Sequence, residues 1–264
     1  MIEMGRGMMA VWRRNADVFF KTWKTNFLPS IFEPLLYLVA MGLGFGSLVS
    51  GLIYAGQPME YIRFLAPGLV SISAMYSGFF ECTYGSFVRM HYQKTFDAIV
   101  ATPVNLGDVI AGEILWGASK SLINSTIVLI VIAIIGWILF PAIRFTSLTI
   151  LLIPPIAFLA GLMFSSLAMI FTAIVPNIDS FNYPFFLLIT PMFLFGGTFF
   201  PISQLGVAEP FAYLLPLTHA TILIRDLSLG ISSILNGLSL LYIIILTTIA
   251  FYLAIRLMKK RLTR

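Results

Sequence analysis

The chain has 264 residues, of which 59% are hydrophobic and only 10% are charged, and its mean hydropathy is +0.97. A soluble domain carries about 25% charged residues. This chain lacks the charge to cover a globular surface in water, which excludes a soluble enzyme, a disordered protein and a nucleic-acid module. The single cysteine, Cys82, excludes a disulfide framework and a cysteine-based zinc site.

Six long apolar segments follow one another, and each reaches the roughly 20 residues that cross a bilayer. They cover residues 27–54, 62–87, 106–140, 148–175, 181–200 and 235–257. Because the apolar runs are continuous rather than alternating, they favour helices over a barrel. The sequence predicts an all-α integral membrane protein with one permease domain over 1–264. Its parts are an interface helix (1–26), spans 1–2 (27–88), a coupling loop (89–105), spans 3–5 (106–200), an outer re-entrant hairpin (201–233), span 6 (234–258) and a basic tail (259–264).

Residues 8–27 have the pattern of an amphipathic helix lying in the membrane interface. The apolar face consists of Met8, Trp12, Ala16, Phe19, Trp23 and Phe27. The polar face consists of Arg13, Arg14, Asp17, Lys21 and Lys24. A surface helix of the soluble type is the alternative, and the span that follows immediately favours the interface.

The positive charges predict the orientation of the chain. Five precede the first span, two lie between spans 2 and 3 and five close the chain, which makes 12 of the 16 Lys and Arg residues. Arg63, Arg144 and Arg225 fall on the other side. The positive-inside rule then predicts a multi-pass protein with both termini in the cytoplasm.

Two connecting segments are more than linkers. Residues 89–105 contain a short helical pattern that has Phe96, Ile99 and Val100 on one side and ends at Thr102-Pro103. Such a helix needs a partner groove or the lipid headgroups to cover its apolar face, and an ordinary connector is the alternative. Residues 201–233 are long and rich in Pro and Gly, yet apolar, which predicts two short helices, broken near Pro210 and Pro216, that dip into the outer leaflet.

The sequence carries no catalytic or nucleotide-binding motif. Residues 112–121 resemble a phosphate loop, but the pattern needs Lys directly after the second Gly. The two histidines, His91 and His219, fall on opposite sides of the membrane, where neither can serve a nucleophile within a span. We predict no enzyme activity, no metal and no cofactor in this chain.

Four charged residues fall within spans: Glu33, Glu81, Glu113 and Lys120. Each costs about 2.5–3.5 kcal/mol at the centre of a membrane helix when unpaired. Lys120 could pair with Glu81 or Glu113. A proton or cation path and a structural ion pair are both open, and the pair is favoured because a pump would carry acids deeper and on more helices.

Aromatic residues are abundant in spans 1 and 5, and Pro184, Pro191 and Gly196-Gly197 interrupt span 5. Aromatic rings stack on sugars and on greasy cargo, but in a membrane protein they also face lipid or neighbouring helices. Candidates for a translocation path are Phe32, Tyr37, Tyr183, Phe186, Phe193 and Phe199.

Three stretches carry a resemblance to a known family: KTFDAIVATPV at 94–104, PMFLFGGTFFPI at 191–202, and LPLTHA with RDLSLG at 215–220 and 225–230. With the order of spans, they make the chain resemble the permease subunit of type-2 ABC exporters, close to the nodulation-factor, daunorubicin and O-antigen polysaccharide exporter permeases. The resemblance covers nearly the whole chain.

The resemblance implies half of a transporter. A second copy of the chain and two ATP-binding cassette subunits would complete it, with ATP and Mg in those subunits, to move an amphipathic or lipid-linked cargo such as a polysaccharide, lipo-oligosaccharide or hydrophobic drug. The coupling surface would be His91, Lys94, Thr95, Phe96, Asp97, Ile99, Val100, Thr102 and Pro103. Membrane lipid is the other expected partner, and nucleic acid is not. An ion-coupled carrier built on Glu81, Glu113 and Lys120, and a scaffold without transport, are the alternatives.

Overall fold

A computed structural model describes residues 2–23, 32, 35–46, 48–49, 51–138, 140, 143 and 147–263. These residues are almost entirely helical. Four of their helices are long and apolar enough to cross a membrane: Leu106–Ile138, Leu148–Ile174, Ile178–Phe195 and Ile234–Leu262. The prediction of an all-α integral membrane protein is therefore confirmed.

The described residues of the first half of the chain form five α-helices and one small hairpin. They are α1 (Ile2–Lys21), α2 (35–45, ending in the π-helical turn Ala40–Phe45), strands β1 (Ile53–Tyr54) and β2 (Gln57–Pro58), α3 (Tyr61–Phe80), α4 (Thr95–Val100) and α5 (Leu106–Ile138). Two π-helical turns, Glu81–Gly85 and Val88–Tyr92, continue α3 beyond the end of the second predicted span.

The second half contains the remaining helices. They are the 3-10 turn Leu148–Leu152 and α6 (Ile153–Ile174), the 3-10 turn Ile178–Phe181, α7 (Asn182–Pro184), the π turn Phe185–Ile189, α8 (Thr190–Phe195), the 3-10 segment Ile202–Ala208, α9 (Glu209–Ala212), α10 (Pro216–Leu229) and α11 (Ile234–Leu262). A π turn follows Pro184 because proline has no N–H to continue the α-helical ladder. The helix carries on past the proline instead of breaking there.

The first predicted span is too long at its C-terminal end. Residues 53–58 form the antiparallel β1–β2 hairpin, in which Ile53 pairs with Pro58. Its turn residues Ala55 and Gly56 have φ values of 49° and 75°, which interrupts a helix. Much of that span, together with Lys24, Phe27, Glu33 and Arg144, lies outside the described residues.

The centre of the bundle is a close junction of α3, α5 and α6, where small residues face one another. A Cβ on Gly117 would lie 2.4 Å from the Oγ of Ser165, and one on Gly161 would lie 2.5 Å from the Cβ of Ser121. The Ser121 hydroxyl donates to the carbonyl of Ala74 on α3. Membrane helices approach this closely only where side chains are small.

The two ends of the bundle have different contents. At one end, Arg261 of α11 donates to the carbonyl of Val175 after α6, and Gly7 of α1 lies against Asp108 of α5. We call this end, with α4 beside it, the termini end. The opposite end holds the β1–β2 hairpin and α10, and we call it the hairpin end.

Prolines begin helices after residue 200 rather than break them. Pro210 and Pro216 occupy the first turns of α9 and α10, where a missing N–H is tolerated. Helix α10 is almost wholly buried in protein, against α3 and α11. His219 on α10 stacks on Tyr242 of α11 at 3.9 Å, and its Nε2 lies 2.8 Å from the carbonyl of Tyr213. This histidine pins the short helices to the last span.

Candidate functional site

Helix α4 is held to the body by one face and exposed on the other. Phe96 is only 1% exposed and belongs to the main apolar cluster. An Arg14 N–H of α1 lies 3.5 Å from the Thr95 hydroxyl. Lys94, just before the helix, has φ 54°, a left-handed conformation that aims the chain into α4.

The sequence assigned nine residues to a coupling surface, and the structure separates them by exposure. The exposed ones are His91, Lys94, Asp97, Val100, Thr102 and Pro103, while Thr95 and Ile99 are partly buried. Phe96, predicted at the centre of that surface, points inward. It anchors α4 to the body, whereas Asp97 and Val100 are exposed on the outer face of the helix.

A network of four charged side chains lies where α3, α5 and α1 meet. Arg89 donates from Nε and Nη2 to Glu113 at 2.9 and 2.6 Å, and its Nη1 lies 2.8 Å from Glu81. Lys120 lies 2.8 Å from the other oxygen of Glu81. Asn15 of α1 donates to Glu113 at 2.8 Å. Every member has an oppositely charged neighbour, which is the arrangement of a structural ion-pair network.

Sequence reasoning missed the member that joins this network. Arg89 was assigned to the loop after span 2, but the π turns extend α3 so that Arg89 stays on the helix. Its spacing of eight residues from Glu81, two helical turns, was the available signal. Gly85 between them leaves room, since a Cβ there would lie 3.1 Å from Glu81. Glu33 lies outside the described residues.

Aromatic rings from α2, α3 and residues 178–199 touch one another in a row along the bundle. Phe199 contacts Tyr37 at 6.4 Å and Phe193 at 5.0 Å, Phe193 contacts Tyr76 at 5.9 Å, and Tyr76 contacts Phe80 at 5.5 Å. The row continues through Phe185, Tyr84 and Phe181. We call these eight residues the aromatic seam: Tyr37, Tyr76, Phe80, Tyr84, Phe181, Phe185, Phe193 and Phe199.

The seam unites half of the predicted path residues. Tyr37, Phe193 and Phe199 belong to it. Phe32, Tyr183 and Phe186 are exposed, and the ring of Phe186 contacts Phe185 at the edge of the seam. Sequence reasoning missed the contribution of α3, although residues 76, 80 and 84 recur every four positions on one helix face. At the hairpin end the seam borders an apolar cavity of about 510 Å³, which Phe199 lines together with Phe45 and Tyr61.

Arg225, predicted on the outer side of the membrane, is instead enclosed in protein and only 2% exposed. Its guanidinium donates to the carbonyls of Phe64 and Thr198 at 3.0 and 3.2 Å and lies 3.7 Å from the centre of the Phe64 ring. Cation–π contact and carbonyl acceptors replace a carboxylate here. The neighbouring Asp226 accepts a 2.7 Å hydrogen bond from Tyr54 of β1, whose pKa is raised by burial. Arg225 thus ties α10 to α3 and to the loop after α8.

The part of the chain that the structure describes contains no group of three His, Cys, Asp or Glu side chains placed to bind a metal. The distinctive features are the exposed face of α4, the ion-pair network and the aromatic seam.

Comparison with known proteins agrees with this arrangement. The model of the ABC-2 type transporter family matches residues 6–229. The chain is 36% identical to nodulation protein J of Rhizobium meliloti (strain 1021) over 98% of this chain and 95% of the relative. It is 37% identical to nodulation protein J of Bradyrhizobium diazoefficiens over 97% and 94%.

A more distant relative is the inner membrane transport permease YadH of Escherichia coli (strain K12), 24% identical over 93% of this chain and 91% of the relative. The family match covers most of the chain, including α4, the network and the seam. The resemblance to type-2 exporter permeases is thereby confirmed. The chain belongs to the ABC-2 type transporter family, the membrane permease components of ABC transporters.

Proposed function

We propose that this chain is the transmembrane half of an ATP-driven exporter. Two copies pair, and two separate ATP-binding subunits with ATP and Mg dock at the termini end. The cargo is amphipathic or lipid-linked, of the kind of a polysaccharide, lipo-oligosaccharide or hydrophobic drug. The chain sits in the inner membrane with six spans and both termini in the cytoplasm.

The observation that carries the proposal is the construction of α4. A six-residue helix has little stability alone, and here Phe96 fixes it to the body. The exposed Asp97 and Val100 then project from a rigid base, so that a partner docked on them would push on the bundle. An exposed valine beside a carboxylate suits a protein groove better than water.

The ion-pair network supports transmission from that helix. Arg14 lies near Thr95 of α4, and its neighbour Asn15 donates to Glu113, which Arg89 links to α3. A displacement of α4 would thus reach α1, α5 and α3 through this series of side-chain hydrogen bonds.

The aromatic seam supports the path. Its rings lie on three segments, and Phe80 is 37% exposed. The faces of aromatic rings can contact both sugar rings and alkyl chains, so such a surface does not require a cargo of one particular structure. A second copy placed against this surface would enclose a path lined by both seams. The basic residues at the termini end support a cytoplasmic placement of that end.

The test is co-purification with an ATP-binding subunit. We expect the tagged native chain to retain the subunit and Asp97→Lys to retain it about tenfold less, the equivalent of a like-charge contact of roughly 1.4 kcal/mol. Glu209→Lys is the matched control, because it makes the same reversal of charge at the hairpin end.

Val100→Asp gives a second measure, since it places a carboxylate at the apolar part of the exposed face. Both variants should insert and purify as the native chain does, because both residues are exposed. Equal retention of the subunit by the native chain, Asp97→Lys and Val100→Asp would refute docking through α4. Retention with ATPase activity that responds to added cargo would establish the coupling.

A further inference from the structure

A second cavity, of about 400 Å³, lies at the termini end between α1, the π-helical extension of α3 and α5. Its polar wall contains Arg14, Arg89, Gln93 and Lys120, and its apolar wall contains Val18 and Trp116. We call it the polar cavity. It is distinct from the exposed face of α4 and from the apolar cavity at the hairpin end.

The polar cavity has more positive than negative charge. Arg14, Arg89 and Lys120 line the cavity together with one carboxylate, Glu81. Counting Glu113, which is paired with Arg89 behind the wall, one positive charge remains in excess. Both carboxylates are already bound: Glu81 by Arg89 and Lys120, and Glu113 by Arg89. An anion entering the cavity would meet carboxylate oxygens that are covered by cations.

Arg14 is the cation of this cavity that makes no direct ion pair among the described residues. Its guanidinium donates to neutral oxygens, those of Asn15 at 3.0 Å and Thr95 at 3.5 Å, and the nearby negative charge of Glu113 acts on it without direct contact. Burial lowers the pKa of Arg14 from its ordinary value, although the guanidinium stays charged. The guanidinium is a planar fork with five N–H donors, so a half-buried arginine can still donate to an oxyanion.

Phosphate is the anion that this geometry favours. A guanidinium fork binds two phosphate oxygens, and an ammonium such as Lys120, with one of its three donors used by Glu81, can bind a third. Beyond the cavity, α1 exposes the large apolar side chains Phe20 and Trp23, as expected of a helix at the level of lipid headgroups. The apolar wall of the cavity suits the glycerol and first methylenes of a lipid.

We propose that the polar cavity binds a phosphate group through Arg14 and Lys120. Anionic phospholipid and free phosphate share this chemistry, and the position of α1 makes the phospholipid headgroup the expected source. The site would seat α1 on the membrane surface beside the ion-pair network. This inference does not depend on export, on the cargo or on the ATP-binding subunits.

The experiment measures lipid binding by the purified chain in detergent. Phosphatidylglycerol, phosphatidylcholine and inorganic phosphate are titrated separately, and the bound lipid is counted by native mass spectrometry. Arg14→Gln is compared with Arg13→Gln, its neighbour on the exposed face of the same helix, which loses the same charge. Arg14→Lys keeps the charge but not the fork. Protection of the buried Cys82 from a thiol reagent verifies that each variant is folded.

We expect the native chain and Arg13→Gln to bind phosphatidylglycerol alike, and Arg14→Gln to bind it at least about tenfold more weakly, the loss of one charge-assisted contact. Phosphatidylcholine should bind more weakly in all variants, and Arg14→Lys should recover part of the affinity. Inorganic phosphate that displaces the lipid, or binds as tightly, supports the anion site and assigns it to free phosphate. An equal effect of Arg13→Gln and Arg14→Gln, or no effect of either, overturns the proposal.

Discussion

Arg89→Gln should destabilise the protein more than any other single change in the ion-pair network. Arg89 is the shared partner of both carboxylates, and Glu113 has no exposed side-chain surface. Removing one partner of a buried pair costs about 3–5 kcal/mol, because the remaining charge stays buried without compensation. For a domain of this size that is a fall in unfolding temperature of about 6–20 °C.

The other end of the network provides the comparison. Lys120 is 22% exposed, and Glu81 keeps Arg89 when Lys120 is removed. A partly solvated pair is worth about 0–1 kcal/mol. Lys120→Gln should therefore lower the unfolding temperature by no more than about 4 °C. Glu113→Gln should fall between the two, because Arg89 retains Glu81 but Asn15 and Ser86 lose an ionised acceptor.

The chain contains its own reporter for this measurement. Cys82 is the single cysteine, it is fully buried, and its Sγ lies 3.5 Å from the carbonyl of Glu113. A thiol-reactive fluorophore added during slow heating reports when this part of the bundle opens. Arg13→Gln is the matched control, since it loses the same charge from an exposed position.

The order of the unfolding temperatures of these variants tests the shared role of Arg89. If Arg89→Gln and Lys120→Gln opened at the same temperature as the native chain, the four charges would contribute nothing to the fold. If Lys120→Gln were the more damaging, the shared role of Arg89 would be mistaken.

Other substitutions test the packing. Gly161→Ala should lower the free energy of unfolding by about 1–3 kcal/mol, because it overpacks the α3–α5–α6 junction. Gly237→Ala has open space at its Cβ and should be neutral or stabilising by up to about 1 kcal/mol. Thermal unfolding of the detergent-purified chain distinguishes the two. Arg225→Met should weaken the attachment of α10 to α3 and cost about 1–3 kcal/mol through the two carbonyls left without a donor; faster hydrogen exchange in residues 216–229 than in the native chain would show it, and unchanged exchange would contradict it.

The sequence was sufficient where one signal dominates. Continuous apolar runs of more than 20 residues have few structural solutions in lipid, and helices α5 and α11 follow from them directly. The sequence could not place the end of α2, because Gly51 and the Ala55-Gly56 turn interrupt a stretch whose hydropathy alone continues. Nor could it extend α3 to Tyr92, since π turns add helix without changing composition.

The candidate site was harder to predict because it depends on contacts between segments distant in sequence. The aromatic character of α2 and residues 178–199 was visible, but that their rings meet those of α3 depends on packing. The sequence placed Arg225 only on the outer side of the membrane and could not show that it is a buried cation held by carbonyls and a ring. Phe96 was predicted to dock a partner, because an apolar side chain on a short helix can either contact a partner or anchor the helix to the body. Burial alone decides that it is the anchor.

At the termini end, α4, the ion-pair network and the polar cavity share or adjoin the same few residues. Arg14 contributes to the polar cavity and approaches α4, Asn15 beside it donates to Glu113, and Lys120 belongs to both the cavity and the network. A force applied at α4 and a phosphate bound in the cavity would therefore act on the same few side chains. Since buried ion pairs have discrete geometries rather than a continuous range, the proposed coupling would require this junction to pass a displacement between α1, α3 and α5.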